Sequence, residues 1–165
     1  MELQKQIPKL KKKYLLADDF AKASMSDIFG KEKLKTATLL EANYLSNAIL
    51  INQGNLKFET MALPHQSQLS TYKTALEVQA NADNKSDLLL FGNYYDCNIQ
   101  MGRYDADFGT VLVSKDAGRF SVEGLNGLPI KGQVRRIEPI NIAGKKAYVL
   151  VRNNDSALVI EFEEN

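Results

Sequence analysis

The strongest concentration of side chains that could do chemistry lies between residues 94 and 107. The segment reads Tyr94-Tyr95-Asp96-Cys97-Asn98 and then, after a short gap, Arg103-Tyr104-Asp105-Ala106-Asp107. Tyrosine rings stack on sugar rings, while carboxylates and a guanidinium group hydrogen-bond to hydroxyls. This composition is compatible with a ligand site, with a glycan as the ligand, formed by Tyr94, Tyr95, Asp96, Arg103, Tyr104 and Asp105.

Two other interpretations of the same segment stay open. Paired acids also serve glycosidases, so hydrolysis is compatible with the acids at positions 96, 105 and 107. In the third interpretation the segment is purely structural. Arg103 then pairs with Asp105 or Asp107 to order a long connection, and Tyr104 plugs the sheet.

Composition disfavours the other common chemistries. Cys97 and His65 are the only residues of their types, so the chain can form neither an internal disulfide nor a zinc site without several carboxylates. A serine or cysteine nucleophile would have only the distant His65 as a base. No glycine-rich phosphate loop of the required form is present. We therefore expect a protein that is not an enzyme.

Charge and hydropathy limit the partners and the location. The 21 basic and 20 acidic side chains give a formal net charge of +1, so no overall field favours nucleic acid. The sequence has no apolar run of about 18 residues that could span a membrane. The first five residues also lack the apolar region of a signal peptide. We expect no nucleic-acid partner and no transmembrane segment in this chain.

The elements that position these residues are indicated by an internal repeat. Residues 50–59 return 62 positions later as residues 112–121, and residues 88–93 return 61 positions later as residues 149–154. Each copy joins an apolar run, a turn with glycine, a basic residue and phenylalanine, and later a second apolar run. Units of this length usually cannot bury an apolar face alone, and they stack as propeller blades or solenoid turns.

The rest of the pattern predicts helices first and strands afterwards. Apolar spacing and Pro8 predict a helix that begins near that proline, followed by short helices over 19–23 and 27–29 with Asp18 and Ser26 as N-caps, and another over 31–35. Beyond residue 36, short apolar runs punctuated by Gly, Asn and Asp predict antiparallel strands. The predicted strands cover 39–44, 48–52, 57–62, 74–79, 88–92, 110–114, 119–122, 133–140, 146–152 and 158–162.

Three motifs also resemble a known family. These are Asp87-Leu88-Leu89-Leu90-Phe91-Gly92-Asn93, then Gly102-Arg103-Tyr104-Asp105-Ala106, and then Gly118-Arg119-Phe120. They resemble the C-terminal region of bacterial FG-GAP or VCBS-repeat proteins, which often carry an ASPIC/UnbV-type tail. Residues 5–15 and 18–29 resemble the helical insert that precedes that region. The resemblance implies β-propeller blades of the integrin-α type, a large exported protein of the cell envelope, and no known catalytic activity.

The resemblance also raises the question of calcium, which such propellers often bind in the turn before the Asp-apolar run. The oxygen donors available there are Asn81, Asp83 and Asp87, with Lys85 between the two acids. Calcium needs concentrated anionic oxygen, so we expect no cofactor, with calcium as the one possible exception. The alternative is a hairpin turn stabilised by hydrogen bonds from side chain to backbone.

Together these observations predict a mainly β fold with an N-terminal helical segment. Residues 1–36 form the helical segment, which packs on the sheets through Leu10, Tyr14, Phe20 and Phe29. Residues 37–165 form about two antiparallel four-stranded blades of the β-propeller type, a partial propeller with units at 48–109 and 110–165.

The expected function is a non-enzymatic structural or recognition module of a larger exported FG-GAP-type propeller protein. Its expected partners are other blades or other proteins. A glycan-binding module that uses residues 94–107 is the alternative. From the resemblance, we expect the protein outside a bacterial cell or in its envelope.

Overall fold

A computed structural model describes residues 2–161 of the chain, which divides into two compact units, residues 1–44 and 45–165. The first unit is helical and the second consists of β-sheets. The expected packing of the helical segment on the sheets stays a prediction.

The helical unit contains five short helices. They are α1 (Glu2–Gln6), α2 (Lys9–Lys13), α3 (Ala17–Lys22), α4 (Met25–Phe29) and α5 (Lys31–Lys35). Helix α4 begins with a capping box, in which Asp27 N donates to Ser24 Oγ (3.2 Å) and Ser24 N donates to Asp27 Oδ2 (2.9 Å).

The predicted N-caps Asp18 and Ser26 are wrong, because both residues lie inside helices. At α4, the Ser24 and Asp27 pair satisfies two free amides at once, which moves the helix start upstream of Ser26. The strand predicted over 39–44 is also wrong, since this segment has no regular structure. Its side chains are exposed, so the apolar run has no sheet face to join.

The second unit contains nine strands among the described residues. They are β1 (Ala48–Asn52), β2 (Phe58–Ala62), β3 (Tyr72–Val78), β4 (Asp87–Gly92), β5 (Thr110–Ser114), β6 (Phe120–Gly124), β7 (Val134–Ile142), β8 (Lys145–Arg152) and β9 (Leu158–Ile160). They form antiparallel sheets in the orders β1-β2, β3-β4-β5-β6 and β7-β8-β9. The mainly β fold with a few short helices is confirmed. No sheet closes into a barrel over residues 2–161, and position 162 of the last predicted strand lies outside that range.

The sequence repeat is also a structural repeat. Hairpin β1-β2 pairs Ala48 with Ala62, and hairpin β5-β6 pairs Thr110 with Gly124 in the same register, 62 positions on. Strands β3 and β7 recur with the same displacement, and each has a one-residue bulge near its start. The sheets are offset from the sequence units by two strands, because β3 and β4 join β5 and β6 in one sheet.

The structure aligns residues 88–93 with the second copy one position differently from the sequence match. Asn93 N donates to Thr71 O and Asn153 N donates to Gln133 O, each over 2.9 Å. Because Thr71 and Gln133 are themselves 62 positions apart, Asn93 corresponds to Asn153, whereas the sequence match places it with Asn154. The chain loses two residues between these points in the second copy, and they come from the turn between β7 and β8.

The core consists of two apolar layers, one on each face of the four-stranded sheet. Leu89 and Phe91 of β4 pack with Ile137 and Leu150 of the three-stranded sheet. Leu90, between them in sequence, points to the other face and packs with Leu63 and Leu112. Successive side chains of a strand point to opposite faces, so β4 is apolar on both sides and the three sheets stack in chain order.

Candidate functional site

All six predicted site residues lie in one connection, residues 93–109, between β4 and β5. Asn93 is buried at the base of this loop. Its Oδ1 accepts from Ser70 Oγ (2.7 Å) and Asp107 N (3.0 Å), and its Nδ2 donates to Asp107 O (2.8 Å) and Gly132 O (2.9 Å). Asn93 therefore ties both ends of the loop to each other and to the segments that precede β3 and β7.

Asp107 anchors the other end of the loop. Its carboxylate accepts hydrogen bonds from Gly92 N (2.9 Å), Thr110 Oγ1 (3.0 Å) and Gly109 N (3.3 Å). Burial raises the pKa of Asp107, and the bonds from Thr110, Gly92 and Gly109 oppose that rise. Asp107 was predicted to be among the acids that could act on a ligand, whereas in the structure its carboxylate is used at the base of the loop.

A single antiparallel bridge joins the two sides of the loop. Tyr94 N donates to Tyr104 O (2.9 Å), and Tyr104 N donates to Tyr94 O (3.0 Å). Beyond this bridge, Tyr95 Oη donates to Asp105 Oδ1, and the Arg103 guanidinium lies 4.9 Å from the centre of the Tyr95 ring. The pKa of Tyr95 is raised to about 12, first because the hydroxyl is removed from solvent, and then because of the hydrogen bond to Asp105 and the negative charge of Asp105.

Two basic residues from neighbouring sheets hold the loop from outside. Lys73 Nζ lies 5.1 Å from the centre of the Tyr94 ring, and Arg135 Nη2 donates to Asp96 Oδ2 over 2.8 Å. Lys73 and Arg135 are the extra residues of the bulges in β3 and β7. Neither residue was among the predicted site residues, although basic residues 62 positions apart at the start of a strand were a usable signal.

The structure thus brings the predicted site residues together, but mostly in pairs with each other or with the scaffold. The guanidinium of Arg103 stacks on a ring, and Tyr104 is 43% exposed. The proposed plugging of the sheet by Tyr104 is therefore wrong. Asp96 and Asp105 each have a protein partner, and the side chains of Arg103, Tyr104 and Asp105 are exposed on the same loop.

The tip of the same loop carries two exposed apolar side chains. Ile99 is 98% exposed and Met101 is 70% exposed. Asn98 Oδ1 accepts from Gln100 N over 3.1 Å and closes a turn at this point.

The candidate calcium ligands lie in the turn between β3 and β4. Asn81 Oδ1 accepts from Asp83 N (3.0 Å), and Asp83 Oδ1 accepts from Lys85 N (2.9 Å). These are the local bonds expected of an Asn- and Asp-rich turn.

Asp87, the third candidate ligand, is fully buried. Its two oxygens accept from Ala80 N (2.9 Å) and from Ser114 N (2.8 Å), which joins the turn to the end of β5. Over residues 2–161, no group of three or more His, Cys, Asp or Glu converges in a way that could hold a metal. The oxygens of Asn81, Asp83 and Asp87 thus accept hydrogen bonds from backbone N–H groups, and calcium binding stays a prediction that a titration tests.

Among the described residues, no helix combines the length and the apolar character that crossing a membrane requires. No protein-family model matches the chain, and no curated protein or solved structure matches it either. The resemblance to FG-GAP proteins therefore stays an expectation.

Proposed function

We propose that this chain is a non-enzymatic structural and recognition module of a larger exported protein of the FG-GAP type. In this proposal its sheets are blades of a partial β-propeller, in a bacterial cell envelope or outside the cell. The stack holds the loop of residues 93–109 toward other blades or protein partners.

The observation that carries the proposal is the recurrence of one sheet arrangement along the chain. Hairpins β1-β2 and β5-β6 share a register, and the bulges of β3 and β7 share a position. The four-stranded and three-stranded sheets also use the same face to pack on the sheet that precedes them in the chain. Leu90 of β4 packs toward hairpin β1-β2, and Leu150 of β8 packs toward the four-stranded sheet. Repetition of one interface is the property that stacked repeat proteins have in common.

The bracing of the loop supports the recognition part of the proposal. Asn93 fixes its base, while Lys73 and Arg135 hold its sides. A surface that is already ordered loses less conformational freedom when it binds. The side chains of Arg103 and Tyr104 are therefore presented at little further entropic cost.

Hydrogen exchange of the Leu89→Ala variant tests the stack. Leu89 is buried in the layer shared by the four-stranded and three-stranded sheets, so its truncation should speed amide exchange in both sheets together. Val159→Ala is the matched control, since Val159 is 53% exposed on β9, and it should leave exchange unchanged. Faster exchange confined to the four-stranded sheet would contradict the proposal.

A glycan-binding module is the second candidate, and the exposed group of Arg103, Tyr104 and Asp105 favours it. A ring beside a cation and an anion can stack on a sugar and hydrogen-bond to its hydroxyls. A glycan array should then give a signal for the wild type that Tyr104→Ala loses. Tyr44→Ala, at another exposed tyrosine, is the matched control. Equal silence of all three proteins would remove the glycan hypothesis.

A further inference from the structure

Hairpin β1-β2 is half of a sheet that is complete elsewhere in the molecule. Its counterpart β5-β6 continues through β4 and β3 on the β5 side. Over the described residues, β1 pairs with β2 alone. The edge of β1 that corresponds to the β4-binding edge of β5 is therefore open.

The direction of the backbone groups on β1 follows from bonds at its two ends. Gln53 N donates to Lys57 O (2.9 Å), and Leu63 N donates to Asn47 O (3.0 Å). Residues 47 and 53 thus face β2, and in an antiparallel strand alternate residues face alternate edges. The N–H and C=O of Leu50 consequently point to the open edge.

The complete sheet has a partner at the matching position. Leu112, the counterpart of Leu50, pairs with Leu88 of β4. Ser114 N, at the end of β5, donates to the buried carboxylate of Asp87. Asn52 occupies in β1 the position that Ser114 occupies in β5. The N–H of Asn52 therefore points to the open edge, as the N–H of Ser114 points to β4.

A cleft of about 340 Å³ lies beside this edge, and its lining is largely apolar. Its walls include Ile49 of β1, and its floor includes Ala75 and Leu90, which pair across β3 and β4. The counterparts of Ala75 and Leu90 in the third sheet are Ile137 and Leu150, which are buried.

Strands β3 and β4 are the elements that cover β7 in the third sheet. By the same repeat, two strands beside β1 would cover the floor of the cleft. The cleft is therefore the space that a β3-β4-like pair of strands occupies one sheet further along the stack.

We propose that the open edge of β1 and this cleft bind an extended segment of a partner polypeptide by β-strand addition. The segment pairs antiparallel with β1 as β4 pairs with β5, and backbone hydrogen bonds to Leu50 supply the pairing. Its chemistry is that of β4: an acid that accepts from Asn52 N–H, followed by apolar residues that alternate between the cleft and the outer face. This inference rests on the proposed stacking of sheets and names the kind of partner that extends it.

The test uses a fluorescent peptide with the sequence of residues 70–93, which contains β3 and β4, added to the full chain. Fluorescence anisotropy should give saturable binding. Leu50→Pro should weaken it at least tenfold, because proline removes the central N–H donor of the open edge, which β1-β2 pairing does not use. Ala75→Glu, an exposed change in the cleft floor, should also weaken binding, and it keeps the test informative if the proline variant fails to fold.

Matched peptides sharpen the assignment. In the four-stranded sheet, Leu89 and Phe91 face the following sheet, so a peptide with serine at both positions should lose binding to the cleft. Serine at positions 88 and 90 changes the other face and should have the smaller effect.

Four outcomes would overturn the inference. They are no saturable binding up to about 1 mM, binding that both protein variants retain, equal losses for the two altered peptides, and an amide of Leu50 already protected from exchange in the free chain by residues 1–44 or by a second copy. The Leu89→Ala experiment needs no peptide. If it succeeds while the peptide fails to bind, the stack stands and strand addition falls.

Discussion

Hairpins β1-β2 and β5-β6 are built alike but have different surroundings. Both join five-residue strands in one register, and Leu50 of the first corresponds to Leu112 of the second. Leu112 is fully buried, whereas Leu50 is 63% exposed. The backbone of a hairpin is therefore set by its own turn and strands, while the burial of its outer apolar face comes from the neighbouring sheet.

The largest expected effect comes from truncating these two leucines. Leu112→Ala should lower the free energy of unfolding by about 2–5 kcal/mol, since it opens a cavity in a packed layer. Leu50→Ala should change it by about 0.5 kcal/mol or less, because the side chain is already largely in water. Urea denaturation of both variants measures the difference. Equal losses would mean that the two hairpins do not differ in packing as the structure describes.

Asn93, at the base of the loop, and its counterpart Asn153 form the second pair of residues to compare. Asn93→Ala should cost about 1–3 kcal/mol, because it leaves buried groups, among them Asp107 O and Asp107 N, without a partner. Asn153→Ala removes a single side-chain bond, Nδ2 to Gln133 Oε1 (3.1 Å), and should cost about 1 kcal/mol or less. Thermal unfolding of both variants measures this contrast, and a larger loss for Asn153→Ala would contradict it.

Asp107 should make stability depend on pH. Burial raises its pKa in the folded chain, so the folded chain keeps the proton to a higher pH than the unfolded chain. The free energy of unfolding contributed by this group therefore falls as pH rises from the ordinary pKa of aspartate through the raised value. Urea unfolding between pH 3 and pH 7, on the order of the range where carboxylates titrate, should show this fall in the wild type. Asp107→Asn, which has no such proton to lose, should lack it, whereas a fall of the same size in both proteins would exclude Asp107 as its source.

The loop of residues 93–109 is much longer than the corresponding connection at residues 153–157. On this loop, Tyr95 should give a smaller effect, which absorbance spectroscopy detects. Its pKa of about 12 means that it ionises late in an alkaline absorbance titration, and Tyr95→Phe should remove this late component. Asp105→Asn should lower the Tyr95 pKa, since it removes the negative acceptor. The folded chain binds this proton more tightly, so stability should fall as pH rises from the ordinary tyrosine pKa toward 12. An unchanged late component in Tyr95→Phe would show that another tyrosine produces it.

Calcium should have the smallest effect of all. Because Asn81, Asp83 and Asp87 already accept backbone N–H groups, added calcium should leave the melting temperature unchanged in the wild type and in Asp83→Asn alike. A rise in the wild type that Asp83→Asn abolishes would reinstate the calcium site.

The strands were predictable where local sequence determines them. Residues 48–52 and 110–114 combine apolar runs with nearby turn residues, and both are strands with the bounds expected from sequence. Residues 39–44 carry a similar apolar run but form no strand. Propensity alone cannot supply the partner strand that such a run needs.

The location of the site was predictable from the sequence, but the partners of its side chains were not. The types of Tyr94, Asp96 and Arg103 drew attention to the right loop. The partners of Tyr94 and Asp96, Lys73 and Arg135, come from elsewhere in the chain, and such pairings depend on how the sheets stack. The cleft beside β1 was also invisible in the sequence, because it is defined by strands that the first sheet lacks.

The two bulge residues, Lys73 and Arg135, connect the loop to two different sheets. Lys73 belongs to the four-stranded sheet and Arg135 to the next one, yet they hold residues only two apart, Tyr94 and Asp96. The conformation of residues 94–96 therefore depends on how these two sheets pack on each other, and not on the loop sequence alone.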